Sequence, residues 1–150
     1  MERVVGFSTL SEAARAMASS HEDERERAYF AHSVEGRTES SWQSRSDHLL
    51  AVGQMAGQFA KHFGGHDLAQ CAGLLHDLGK YTSEFQARLR GCPERVDHST
   101  WGARIALERY PSLGYLLAYA VAGHHAGLAN GKGEGRRASL QERLDADLPE

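Results

Sequence analysis

The sequence predicts an all-α fold, a helical bundle whose converging helix ends form a metal site. Three observations carry this. Apolar residues recur at three- and four-residue steps over most of the chain from residue 44 onward, which is the period of a helix with one buried face. Capping residues open these stretches, and Gly or Pro closes them. No stretch alternates apolar with polar residues as a strand does, and no internal repeat is visible. At 150 residues, 41% hydrophobic and 25% charged, the chain has enough apolar material for one core.

Residues 1–27 read as a polar leader, and residues 28–150 as the functional domain. Thr9-Leu10-Ser11-Glu12 has a capping-box pattern ahead of a short Ala-rich stretch, and residues 19–27 are a mixed-sign charged run, most simply a solvated face. Ser44 or Ser46 caps a helix to Phe63, with Leu49, Val52, Ala56, Phe59, Ala60 and Phe63 as its buried stripe and Gly64-Gly65 as its stop. A second helix starts near Asp67 and turns Leu68, Cys71, Ala72, Leu75 and Leu78 inward. Gly73 within it predicts close approach of a neighbour or ligand. Ser83 caps a short helix through Leu89, closed by Gly91. Asp97 caps a helix from His98 to Tyr110, which Pro111 ends. A further apolar helix runs from Ser112 to about His125, and an amphipathic piece with Leu140, Leu144 and Leu148 follows.

The composition narrows the function. A net charge of −3 excludes a protein that grips nucleic acid by a broad basic face, although bound divalent ions can carry contact with phosphate. Cys71 and Cys92 lack C-x-x-C spacing and read as reduced thiols of a cytoplasmic protein. Leu113 to Ala122, the longest apolar run, is too short to span a bilayer, and Met1-Glu2-Arg3 opens no signal peptide. Histidine is the outlier at nine residues, and it is the commonest ligand for borderline metals.

The chemistry centres on Gly73-Leu74-Leu75-His76-Asp77-Leu78-Gly79-Lys80. Gly79 suits a left-handed C′ position and Lys80 the negative end of a helix dipole. A carboxylate at Asp77 suits neither, unless a cation offsets it, and a metal ion would. His48, His76, Asp77, His98, His124 and His125 fall on four predicted helices, and all but His48 lie within a turn of a helix end. Each histidine alone is more simply a core or surface residue, as is His32 beside Tyr29-Phe30. Together, around one carboxylate, they suit two divalent ions about 3.5–4 Å apart, the arrangement that clamps the oxygens of a phosphodiester.

These residues carry a family resemblance. Ala31-His32-Ser33, Asp47-His48-Leu49, the Gly73–Lys80 stretch, Phe85-Gln86, Asp97-His98-Ser99 with Gly102-Ala103, and Gly123-His124-His125-Ala126-Gly127-Leu128 occur in an order that resembles the HD nuclease domain of the CRISPR-associated nuclease-helicase. The resemblance spans about residues 29–144. It implies that His48, His76 and Asp77 hold a first metal, and Asp77, His98, His124 and His125 a second. Asp77, His76 and Lys80 would be catalytic, with Lys80 near the scissile phosphate and His32 near the substrate groove. The ions would be Mn, Fe, Co or Ni, with Mg possible. The activity would be cutting of single-stranded DNA, as an endonuclease and 3′ to 5′ exonuclease, in CRISPR antiviral interference. The partners would be single-stranded DNA, a Cascade-type surveillance complex and a helicase, with no membrane. Arg88, Arg90, Arg104, Arg109, Arg136 and Arg137 are candidates for guiding the strand, or ordinary surface charge.

Two departures qualify the resemblance. The family pattern continues to a later aspartate that completes the first site, and Asp145-Ala146-Asp147 follows the double histidine too closely to be it. The expectation is a shortened chain that holds the second ion better than the first. No G-x-x-x-x-G-K-[ST] loop is present, so ATP-driven unwinding belongs to another chain. Two other readings stay open: an HD phosphohydrolase of nucleotides or cyclic nucleotides, and a non-catalytic remnant that acts as a binding module.

Overall fold

Ser44 opens the bundle. In the computed structural model, which describes residues 29–133 and 137–149, its hydroxyl accepts from the Asp47 N–H and caps α1 (Arg45–Ala60). The remaining helices are α2 (His66–Leu75), α3 (Ser83–Leu89), α4 (Thr100–Arg109), α5 (Gly114–Gly123) and α6 (Leu140–Asp145), with 3₁₀ turns at Glu39–Ser41, Lys61–Phe63 and Leu78–Tyr81. The fold is helical, as the periodicity predicts. The leader, its predicted helix and Arg136 lie outside the described residues.

Two antiparallel pairs, α1 with α2 and α4 with α5, make the bundle, and glycines set how closely each pair packs. A Cβ on Gly73 would meet the Gly53 Cα at 2.7 Å, and one on Gly57 would meet the His66 ring at 3.0 Å. Residues 53 and 57 of α1 therefore face residues 73 and 66 of α2. This bears out the close approach expected at Gly73, and it corrects the expected stripe of α1 at Phe59 and Phe63, while Leu49 and Ala60 are buried as expected. Leu49, Gly53, Gly57 and Ala60 are buried, whereas Phe59 and Phe63 are 72% and 78% exposed. Hydrophobic periodicity gives glycine no weight, yet the glycine face is the one a neighbouring backbone can reach.

In the second pair, a Cβ at Gly102 would collide with the Leu75 carbonyl, and one at Gly114 would lie 2.7 Å from the Ala106 carbonyl. The shared core is accordingly small-residued: Cys71, Leu75, Ala103, Ala106, Leu117, Ala118, Val121, Ala122 and Leu140. Because Gly102 rests on the carbonyl just before His76-Asp77, Gly102→Ala is expected to destabilise the fold at the upper end of about 1–3 kcal/mol. Chemical denaturation of the metal-free chain measures this.

Several boundaries differ from the expected ones. α4 starts at Thr100 and not at His98. Its N-cap is Ser99 and not Asp97; the Asp97 carboxylate, two residues earlier, accepts from the Ser99 and Thr100 N–H groups at 2.9 and 3.1 Å, which leaves His98 in the preceding turn. Thr82, not Ser83, caps α3. Gly91 has φ of 106°, as a helix stop requires, but Gly79 has no positive φ. It lies in a 3₁₀ turn, where a Cβ would collide with the His98 backbone.

A two-stranded ribbon, β1 (Phe30–His32) against β2 (Gln43–Ser44), was not foreseen, because two or three residues are too few to show alternation. Side chains from the site hold it. Gln86 Oε1 accepts from the Phe30 N–H and its Nε2 donates to the Phe30 carbonyl, both at 3.0 Å.

α6 closes the far side. Ser139 and Glu142 form its capping box. Arg143 donates to the Ala122 carbonyl at 2.6 Å, to Ser99 Oγ at 2.7 Å and to Asp97 Oδ2 at 3.1 Å, joining α6 to the ends of α4 and α5. Hydrogen bonds from Thr100 and the Arg143 charge hold Asp97 down to about 2 against the pull of burial. A depressed carboxylate contributes stability that is complete above its ordinary value and lost as pH falls through its folded one. Asp97→Ala is therefore expected to cost about 1–2 kcal/mol at neutral pH. The difference from the parent should shrink below about pH 4, as denaturation along a pH series would show.

Candidate metal centre

Asp77 is 2% exposed at the meeting point of the helix ends. Its residue follows His76, the C-cap of α2, and precedes the 3₁₀ turn at Leu78–Tyr81. Oδ2 lies 3.0 Å from His76 Nε2, 3.2 Å from His48 Nε2 and 2.8 Å from Lys80 Nζ. Oδ1 lies 3.2 Å from His124 Nε2 and 3.4 Å from His98 Nε2. One carboxylate thus faces two histidine sets, one per oxygen. His48 reaches it from the fourth residue of α1, closer to a helix end than expected. His124 is the C-cap of α5, and the His125 ring lies against it, tilted at 45° with 4.0 Å between ring centroids.

Backbone carbonyls orient the rings. His76 Nδ1 is 2.6 Å from the Gly73 carbonyl and His124 Nδ1 is 2.7 Å from that of Val121. A nitrogen facing a carbonyl must carry the proton, so when the ring is neutral Nε2 turns a lone pair toward Asp77. Lone pairs facing a carboxylate repel unless a cation or proton lies between them. Lys80 supplies part of the positive charge that the sequence reading assigned to a metal. It is 3% exposed, and its ammonium also donates to the Ala31 carbonyl at 3.0 Å. The structure thus places Lys80 beneath Asp77, holding the carboxylate, where the resemblance had placed it beside a phosphate. Asp77 Oδ1 and His98 Nε2 remain buried without a hydrogen-bond partner among the described residues. An anionic oxygen left bare against imidazole nitrogens fits a divalent cation.

Protonation agrees with that fit. Burial opposes the charge on Asp77, but its close contacts with His124, His76 and the Lys80 ammonium outweigh it and hold the carboxyl well below its usual range. Burial pushes His98 down to about 4 and also lowers His48, His32 and His125. For His124, burial works downward, but the contacts to Asp77 and the Val121 carbonyl win and raise it. Near neutral pH most of these rings are therefore neutral and able to ligate.

Two ligand groups result. Asp77, His98, His124 and His125 each bring one ligand atom within 4.8 Å of the others, and so do His32, His48 and Asp77. The first group has the residues that the resemblance implies for the second ion. The other contains His32 and lacks His76, whereas the resemblance implies His76 in the first site and His32 at the substrate groove. Asp145 binds Gln141 and belongs to neither group, and neither does Asp147. A cavity of about 310 Å³ opens beside His98 and His125, with Asp97 and Arg143 on its wall.

The arginines proposed to guide a strand are mostly engaged elsewhere. Arg88 donates to the Glu94 carbonyl at 2.6 Å, Arg90 pairs with Glu39 at 2.7 Å, Arg104 binds the Leu144 carbonyl at 2.8 Å, and Arg137 the Ala126 carbonyl at 2.8 Å. Among the described residues no helix is long and apolar enough to cross a membrane.

A family model described as the HD domain matches residues 45–148, from the first residue of α1 to beyond α6. No curated protein matches the chain.

Proposed function

The chain belongs to the HD domain family, whose members are typically metal-dependent hydrolases, and on that basis we propose that it is a two-ion phosphodiesterase that cuts single-stranded DNA. The observation that carries this reading is the division of Asp77: Oδ2 faces His48 and His76, while Oδ1 faces His98 and His124. A carboxylate shared in this way suits two divalent ions, which when bound activate the attacking water and offset the charge on a transferring phosphoryl group.

The chain's own residues set the stage for that chemistry. His48, His76 and Asp77 would hold the first ion, and Asp77, His98, His124 and His125 the second. Lys80 keeps Asp77 ionised and fixed in position, and the carbonyls of Gly73 and Val121 hold the rings of His76 and His124 in the ligating tautomer. Mn, Fe, Co and Ni suit such mixed nitrogen and carboxylate donors, and Mg is the harder alternative.

Single-stranded DNA is favoured by the ordered motif set from Ala31-His32-Ser33 to Gly123-His124-His125. The same resemblance supports a role in CRISPR interference, in the cytoplasm, for residues 28–150. A surveillance complex and a separate helicase would deliver the strand, and residues 1–27 would be a leader. A second reading, hydrolysis of nucleotides or cyclic nucleotides, is favoured by the engaged arginines, which leave little basic track for a polymer.

Purified chain incubated with Mn and circular single-stranded DNA, deoxynucleoside triphosphates or cyclic dinucleotides separates the two. Metal-dependent nicking of the circle, which offers no end to a contaminating exonuclease, is the expected result. Turnover of the small substrates alone would favour the second reading. No turnover of any substrate, with metal bound, would leave a non-catalytic binding module.

A further inference from the structure

We propose that His32 is a further protein ligand of the first ion, beside His48, His76 and Asp77. The inference rests on the reading of Asp77 as a shared carboxylate and extends it to a residue outside the family match, which begins at residue 45.

Geometry carries it. One ligand atom from each of His32, His48 and Asp77 lies within 4.8 Å of the others. The His32 and His48 rings meet edge to face, 4.8 Å between centroids at 82°. No hydrogen bond among the described residues occupies either nitrogen of the exposed His32 ring, so a lone pair is available without breaking a contact.

The surroundings hold His32 in place. Residue 30 is pinned through both backbone groups by Gln86. The carbonyl of Ala31, which shares a peptide unit with the His32 N–H, accepts from Lys80 Nζ at 3.0 Å, and the same ammonium binds Asp77 Oδ2 at 2.8 Å. One buried cation therefore fixes the spacing between the carboxylate and the backbone that bears His32. β1 in turn pairs with β2, whose Ser44 caps the helix that presents His48. An exposed side chain on a backbone this constrained points to a ligand role more than to surface decoration. Lys80 is on this account a positioning residue.

The test counts bound Mn and its affinities on the full chain by calorimetry and equilibrium dialysis, with no substrate present. The wild type is expected to bind two ions. His32→Ala and His32→Phe should weaken one of them by about 10- to 100-fold and leave the other unchanged. The phenyl ring keeps the packing on His48 without a ligating nitrogen, so it serves if the alanine variant folds poorly. His125→Ala should weaken the other ion instead. Two ions bound with wild-type affinities in His32→Phe would overturn the role of His32 while the two-ion reading stood. A single ion in the wild type, insensitive to His32, would overturn it equally. No ion at all in the wild type would instead remove the shared-carboxylate reading itself.

Discussion

Asp77→Asn is expected to abolish hydrolysis and to weaken binding of both ions by at least about 100-fold, beyond what losing a supporting residue costs a metal site. Both oxygens of Asp77 face histidine nitrogens within 3.4 Å, so one substitution removes a ligand from each site. Asn keeps the shape and an acceptor for Lys80 but not the charge. Asp77→Ala removes both, stranding an ammonium that is 3% exposed, and is expected to destabilise the metal-free fold by about 3–5 kcal/mol. Adding Lys80→Met to Asp77→Ala should recover much of that stability and none of the metal binding. Unfolding curves and metal titrations measured on the same variants separate the role in folding from the role in ligation.

The second large effect is that of the metal on the fold. Mn at about 100 times the dissociation constant of one site should stabilise the chain through that site by about 2.7 kcal/mol, raising Tm by about 5–10 °C for a chain of this size, and filling the second site equally should about double both. A chelator should reverse this. The effect should depend on pH with a definite sign. His124 has a raised pKa, so the ion must displace its proton, and metal stabilisation is complete above that raised value and declines as pH falls through it. His98, pushed down to about 4 by burial, offers no competing proton near neutrality. It weakens the metal-free fold instead, because between the ordinary histidine value and about 4 the unfolded chain takes up a proton that the folded one refuses. Differential scanning fluorimetry along a pH series, with Mn and with chelator, reads both effects.

Much of the fold was legible in the sequence because its signals are local. Ser44 at an N-cap, Gly64 and Gly91 at stops and the Ser139–Glu142 box each act through the nearest turn. The convergence of His76, Asp77, His98 and His124 was legible for a related reason, since residues at the ends of apolar helices have few places to go in a bundle. What escaped depends on contacts distant in sequence. The face of α1 is decided by Gly73 approaching Gly53, and no pattern within residues 44–63 encodes that. Phe59 and Phe63 read as core and are exposed. The dual role of Lys80, bound to Asp77 and to Ala31, spans 49 residues on one side and three on the other, and only the near contact was visible as spacing. His32 lay too far from the other histidines in sequence for its approach to His48 to be read from either residue alone.

The central claim is that Asp77 lies between two ions. Anomalous scattering from crystals of the chain grown with Mn tests it most directly. The account predicts two peaks about 3.5–4 Å apart, one on the His48 side of Asp77 and one on the His98–His124 side. Mn-loaded crystals with a single peak, or none, within ligand distance of Asp77 would contradict it.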